Sequence, residues 1–271
     1  MEEMRMISVA LFKKELKSNM GLLVIFMGIL ALYGGMVIAM YDPELGKSLQ
    51  EMAESMPKMF AAFGMDAQAT TLMDFMINYL YGFLLIAFPA IFSIILANRL
   101  VVKYVDDGSM AYLLATPQKR FKIVMTQVIF LIACLLLLLA FNTIFIIIVA
   151  EIMFPGQIEI MEFIWLNLGL LRLHFFLAAT CFMPSCIFSE YKKSTMVGTG
   201  VVVYSLLVQM LSQIGDKLAN LKYATPLTLF QPQKLVAMEN EAVWALGVLG
   251  MLGILLFGIG ISRFCHKDMA L

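Results

Sequence analysis

Residues 123–150 read IVMTQVIFLIACLLLLLAFNTIFIIIVA, with no Asp, Glu, Lys or Arg among them. As a helix this stretch extends about 42 Å at 1.5 Å per residue, more than the ~30 Å hydrocarbon core of a bilayer. It is read as a membrane span, long enough to tilt or to project beyond the lipid. Five further stretches meet the requirement of about 20 predominantly apolar residues: 20–40, 77–98, 163–188, 195–214 and 242–262. The expected fold class is an all-α integral membrane protein, a single six-span transmembrane domain over residues 1–271. Residues 20–40 are followed by Tyr41-Asp42-Pro43 rather than a small-residue cleavage site, so this span is expected to be retained.

Composition agrees. The chain is 62% hydrophobic and 14% charged, with a mean hydropathy of +0.90. An ordinary globular domain is about 45–50% apolar and about 25% charged. Four cysteines in 271 residues do not make a disulfide scaffold. Cys134, Cys181 and Cys186 lie in apolar runs and read as buried thiols. The formal net charge is zero, so bulk electrostatics point to no nucleic-acid partner.

That zero conceals an asymmetry. The N-terminal segment, the second and fourth connections and the C-terminal tail hold thirteen Lys and Arg; the other connections hold five, and Arg172 lies inside a span. Acidic residues divide the other way, seven against twelve. The positive-inside rule then places both termini in the cytoplasm. Segments 41–76 and 215–241 are expected outside, each too short for its own core. Apolar residues at helical spacing over 49–63 predict a surface helix interrupted near Pro57. At the N-terminus, Met4, Ile7, Leu11 and Lys14 fall on one side of a helix, widened by Met6, Val9, Phe12 and Leu16. A basic helix with an apolar stripe, residues 4–18, is expected in the interface plane just before the first span.

Catalytic chemistry is sparse. His174 and His266 do not make a multi-histidine metal site, and no H-E-x-x-H, C-x-x-C or G-x-S-x-G occurs. Gly46-Lys47-Ser48 resembles the end of a phosphate-binding loop, but Tyr41 stands where its first Gly belongs. The chain is read as no enzyme, binding no metal or cofactor of its own.

Polar residues within the spans are the remaining candidates. Arg172 lies about 13 Å below the outer end of its span and needs a partner or water there. Glu151, at the outer end of the third span, is the expected partner. His174 is two residues on and faces another way. These residues, with Asn142, either wall a substrate path or serve structure, Arg172 by an ion pair or by snorkelling. Gln127, Asn142, Gln209 and Asn78 are candidates for hydrogen bonds between helices. In the last span Gly247 and Gly258 share a face, with Gly250, Gly253 and Gly260 adding small surface; close helix packing is expected.

The second connection is the informative one. It runs Asn98-Arg99-Leu100-Val101-Val102-Lys103-Tyr104-Val105-Asp106-Asp107-Gly108-Ser109-Met110-Ala111-Tyr112-Leu113-Leu114-Ala115-Thr116-Pro117-Gln118-Lys119-Arg120. A charged helix end meets a Gly turn. Ser109 is positioned to cap a short helix whose apolar side holds Met110, Tyr112, Leu113 and Leu114, and Pro117 ends it. An apolar helix face in cytosol calls for a docking partner, or else lies on the membrane surface with none.

This segment resembles the cytoplasmic connection of ABC type-2 permeases, in which an acidic residue and Gly-Ser/Thr lead to Leu-Leu and then Pro-x-x-Arg. The matching positions are Asp107, Gly108, Ser109, Leu113, Leu114, Pro117 and Arg120, the acidic one being met by the pair Asp106-Asp107. The resemblance implies a coupling helix over 106–117, seated in a cleft of an ATPase subunit, with Tyr112 on its apolar side. Residues 189–194, with Glu190 and Lys192, resemble the family's second cytoplasmic contact, and the N-terminal helix its elbow helix. Ala224-Thr225-Pro226-Leu227 resembles its outer Ser-Pro segment.

What the resemblance implies is the permease subunit of a bacterial ATP-driven exporter in the cytoplasmic membrane. Two copies, a homodimer rather than a heterodimer, would join two ATPase subunits that bind ATP and Mg. The substrate would be amphipathic or hydrophobic: a cytolytic or antimicrobial peptide, a drug or a lipid-linked molecule. A non-transporting sensor or immunity subunit would share the fold. A secondary transporter is disfavoured by the lack of an inverted repeat and of an acidic residue deep in a span. A membrane enzyme would have only Arg172 and His174 at depth.

Overall fold

A computed structural model describes residues 7–41, 51–63, 71–214 and 218–268. Among these residues there is no strand, and six helices are long and apolar enough to cross a membrane. They are α1 (Val9–Ala39), α2 (Leu72–Asp106), α3 (Arg120–Met153), α4 (Ile160–Ile187), α5 (Tyr191–Ser212) and α6 (Asn240–His266). The chain is a multi-pass membrane protein with every span where the hydropathy places it.

Helix α1 corrects one expectation. It runs unbroken through residues 18–20, so residues 9–18 continue the axis of the first span instead of forming a separate elbow. No proline interrupts the run. Its buried residues Leu11, Glu15, Asn19, Leu23, Phe26, Leu30, Gly34 and Val37 recur every three or four positions, a single packing stripe along the whole helix. Val9 and Leu16, expected on the apolar face, are exposed. Met4 and Met6 lie outside the described residues.

The two central helices are α4 and α2. Of their most apolar stretches 72% and 67% are buried, against 28–33% in the other four. Helix α2 is irregular: a π-helical turn occupies Ile77–Tyr81, and the backbone leaves helical geometry at Val101. Thr71 starts it by accepting the Asp74 N–H at 3.1 Å. Pro89 sits mid-helix and has no N–H to offer the Leu85 carbonyl four residues back. His174 of α4 fills that vacancy, its Nε2 lying 2.7 Å from the Leu85 oxygen. A carbonyl left bare in a protein interior costs about 1–3 kcal/mol. The Nε2 of this fully buried histidine thus complements a proline on the neighbouring helix, while its Nδ1 has no hydrogen-bond partner among the described residues.

Helix α6 lies against α4 through glycines, but not through the expected pair. A Cβ on Gly253 would fall 2.6 Å from the Phe175 ring, and one on Gly260 3.3 Å from the Met183 Cα. Gly247 and Gly258 have nothing within 4 Å of such a Cβ. Close approach therefore follows Gly250, Gly253 and Gly260, while Gly247 and Gly258 face away. Among the described connections, the helix break at Pro57 is present: residues 51–55 are helical, Met56 is not, and Pro57–Ala62 resumes. Residues 46–48 and 49–50 lie outside the described residues.

The two ends of the described chain lie at one end of the bundle. The Ser8 N–H that precedes α1 donates to Thr126 Oγ1 of α3 at 2.9 Å. The Arg120 guanidinium donates to the Lys267 carbonyl at 2.7 Å, and Lys267 Nζ donates to the Phe188 carbonyl at the end of α4, also at 2.7 Å. Ser194 at the start of α5 donates to Asn98 of α2 at 2.6 Å. At the opposite end Thr225 donates to the Ser205 carbonyl of α5 and accepts the Leu227 N–H. Gln209 accepts from Thr228, so its partner is a connection rather than another span.

Candidate functional site

The end that carries the termini also carries the informative connection. Helix Val102–Asp106 stops where Gly108 takes φ +73°, a conformation that disfavours any side chain. Asp107 then folds over the turn. Its Oδ1 accepts the Ser109 N–H at 3.0 Å and the Ser109 hydroxyl at 2.5 Å. These two donors hold the Asp107 carboxyl below the usual carboxylate range. Ser109 therefore does not cap the next helix, as expected; its hydroxyl is taken by Asp107, and no side-chain cap bond is made. Of the pair Asp106-Asp107, it is Asp107 that organises the turn.

The short helix that follows is Met110–Leu114, tighter than the 106–117 expected. Asp106 belongs to the preceding helix. Thr116 donates to the Leu113 carbonyl at 2.6 Å, and the chain is extended at Lys119 before Arg120 opens α3. Spacing decides which side faces in. Met110, Leu113 and Leu114 are related by three and four residues and share a face. Met110 is buried, and Leu113 and Leu114 are half-buried against the chain's own core. Leu113 lines a cavity of about 210 Å³ with Leu11 and Ile123. Tyr112 points the other way and is 80% exposed. The expected apolar side thus splits in two: three residues hold the helix to the bundle, and Tyr112 alone is presented.

Behind this helix lies a residue that the sequence reading passed over. Glu15 of α1 is 2% exposed. Its Oε1 accepts the Tyr104 hydroxyl of α2 at 2.6 Å and the Gln127 amide of α3 at 3.2 Å. Its Oε2 accepts the Asn19 amide at 3.1 Å. One carboxylate joins three spans directly under the 107–114 turn. Gln127, expected to bond between helices, does so here. A signal was available: Glu15 and Asn19 continue the stripe of Leu23, Phe26 and Leu30 at four-residue steps. The neighbouring Lys13, Lys14 and Lys17 disguised it as a solvated face.

The other candidates are not gathered into one place. Arg172 is exposed on α4, against Gly250, whose added Cβ would fall 3.0 Å from Nη1. Among the described residues no ion pair joins it to Glu151, which accepts the Gly156 N–H at 3.2 Å in its own turn. The pairing fails because Glu151 is drawn into the turn that ends α3. Asn142 is fully buried beside Gly34, and neither amide atom has a hydrogen-bond partner among the described residues. Glu190 is exposed and pairs with Lys193 at 2.5 Å; Lys192 is exposed beside it. Pro117 is exposed, and Arg120 is engaged with the C-terminal segment. Among the described residues no group of three or more His, Cys, Asp or Glu is placed to hold a metal ion. No protein-family model, no curated protein and no solved structure matches this chain.

Proposed function

We propose that this chain is the membrane subunit of an ATP-driven exporter, bound at its terminus-bearing end by a separate ATPase. The observation that carries the reading is the 107–114 turn and helix. It presents one large aromatic, Tyr112, outward, and is backed by a carboxylate network that reaches α1, α2 and α3. A push on such an element moves three spans together rather than bending a loop. Asp107, Gly108 and Ser109 fix the turn; Met110, Leu113 and Leu114 fix the helix to the bundle; Glu15, Tyr104 and Gln127 carry displacement inward. The exposed Glu190 and Lys192 supply a second, smaller contact, and Pro117 and Arg120 the return into α3.

ATP and Mg belong to the partner in this scheme, and two copies of each subunit form the working unit. This end of the bundle faces the cytoplasm of a bacterial cell, in keeping with the basic excess there. Transport requires two arrangements of the spans that bind substrate differently, switched by the ATPase. An amphipathic or hydrophobic substrate suits spans with so few charges. Glu15 does not favour a proton-driven carrier: it lies about 9 Å from the start of α1, near one end of the bundle rather than at its midplane.

The test is ATP turnover by the purified complex with and without an amphipathic peptide. Stimulation by peptide, abolished by Glu15→Gln in a complex of unchanged mass, is the expected result. Turnover that ignores peptide in the native complex points to a non-transporting subunit. Stimulation unaffected by Glu15→Gln removes the network from the coupling route.

A further inference from the structure

A cavity of about 420 Å³ opens between α1 and α2 at the end that carries the termini. Lys14, Ser18 and Asn19 line it from one side, Arg99, Lys103 and Tyr104 from the other, with Glu15 beneath and Asp107 and Ser109 at the rim. Both carboxylates accept hydrogen bonds from neutral donors. Glu15 accepts from Tyr104, Gln127 and Asn19, and Asp107 accepts twice from Ser109. Among the described residues Lys14, Arg99 and Lys103 make no ion pair within 4 Å, although the charges of Lys103 and Lys14 reach Asp107 and help to lower its carboxyl. Lys14 lies 4.7 Å from the centre of the Tyr104 ring, which steadies it without neutralising it. The charged lining is thus three cations against the two carboxylates of Glu15 and Asp107, a formal excess of one positive charge, with the Ser18 hydroxyl as a further donor.

The surface beside it has a direction. Ser18, Gly21 and Ile25 follow at three- and four-residue steps along α1, and beyond Ser18 this face is apolar. Gly21 has nothing within 4 Å of an added Cβ, and Ile25 is 60% exposed. An apolar track thus leads from the charged cavity along the span. We infer that this cavity binds a phosphate-bearing anion, and that the anion is the headgroup of an anionic phospholipid whose acyl chain lies along Gly21 and Ile25. A bound lipid would wedge α1 against α2 beside the Glu15 network, so the occupancy of the site would set how firmly those two helices move together.

The experiment uses the full chain in detergent. Retention of phosphatidylglycerol and of phosphatidylcholine is read by native mass spectrometry. Thermal unfolding is read in parallel with and without inorganic phosphate. The test variant is Lys14→Gln, Arg99→Gln, Lys103→Gln; the control is Lys13→Gln, Lys17→Gln, Lys119→Gln, which removes the same charge from the same end outside the cavity. The expected result is preferential retention of phosphatidylglycerol, weakened about fivefold for each cavity cation removed and little changed in the control. Stabilisation by inorganic phosphate alone, lost in the test variant and without lipid preference, keeps the anion site and assigns it to a soluble phosphate. Equal loss in both variants, or no anion preference in the native chain, overturns the site. If the triple variant does not fold, Lys103→Gln alone, at an exposed position, carries the same comparison.

Discussion

At the residue scale, two buried polar side chains explain themselves by what they complete. Glu15 gives three donors an acceptor where α1, α2 and α3 meet. Glu15→Ala removes an acceptor from Tyr104 and from Asn19, which keeps its bond to the residue-15 carbonyl, and orphans the buried Gln127 amide, at about 1–3 kcal/mol for that orphan. Glu15→Gln keeps one acceptor oxygen and should cost less. Thermal unfolding in one detergent should rank native, Gln, then Ala; an Ala variant as stable as the native chain contradicts the network. His174 is a sharper case, because its role depends on Pro89. His174→Leu bares the Leu85 carbonyl and should cost about 1–3 kcal/mol. In a Pro89→Ala background the new N–H reaches that carbonyl through the helix, and the same change should cost less. Equal costs in both backgrounds would show that the 2.7 Å contact does not matter. The sequence displayed both residues but not this pairing, since His174 and Leu85 are 89 positions apart.

At the element scale, hydropathy located all six spans, because an unbroken apolar run admits little other reading. It did not place their ends. The first span absorbed the basic N-terminal turns, since no proline or extended residue between Val9 and Ala39 stops a helix that has begun. It did not show which glycines are buried either. Gly247 and Gly258 share a face by arithmetic, but a face becomes an interface only when a neighbour lies on it, and α4 lies on the other one. Gly253→Leu and Gly260→Leu should therefore lose about 1–3 kcal/mol by overpacking. Gly247→Leu and Gly258→Leu should stay within about 0.5 kcal/mol of the native chain. Thermal unfolding of the four variants checks this, and loss by the second pair but not the first would contradict the packing of α6. The short helix after Gly108 repeats the lesson. Its apolar residues were legible, and their division into an inward trio and an outward Tyr112 was not, because that depends on α1 lying behind it.

At the scale of the whole molecule, the ties at the terminus-bearing end form a connected set. Ser8 is held to α3, Asn98 to α5, and the C-terminal segment to both Arg120 and the end of α4. With the Glu15 network, this couples the ends of all six spans, as the proposed drive by a partner at this end requires. The direct test of that partnership is the mass of the complex after coexpression with a candidate ATPase and purification in detergent. The expected result is two membrane subunits with two ATPases, and loss of the ATPase from Tyr112→Asp while the six-helix bundle keeps its native unfolding temperature. A membrane subunit recovered alone, or a Tyr112→Asp variant that holds the ATPase as tightly as the native chain, contradicts it.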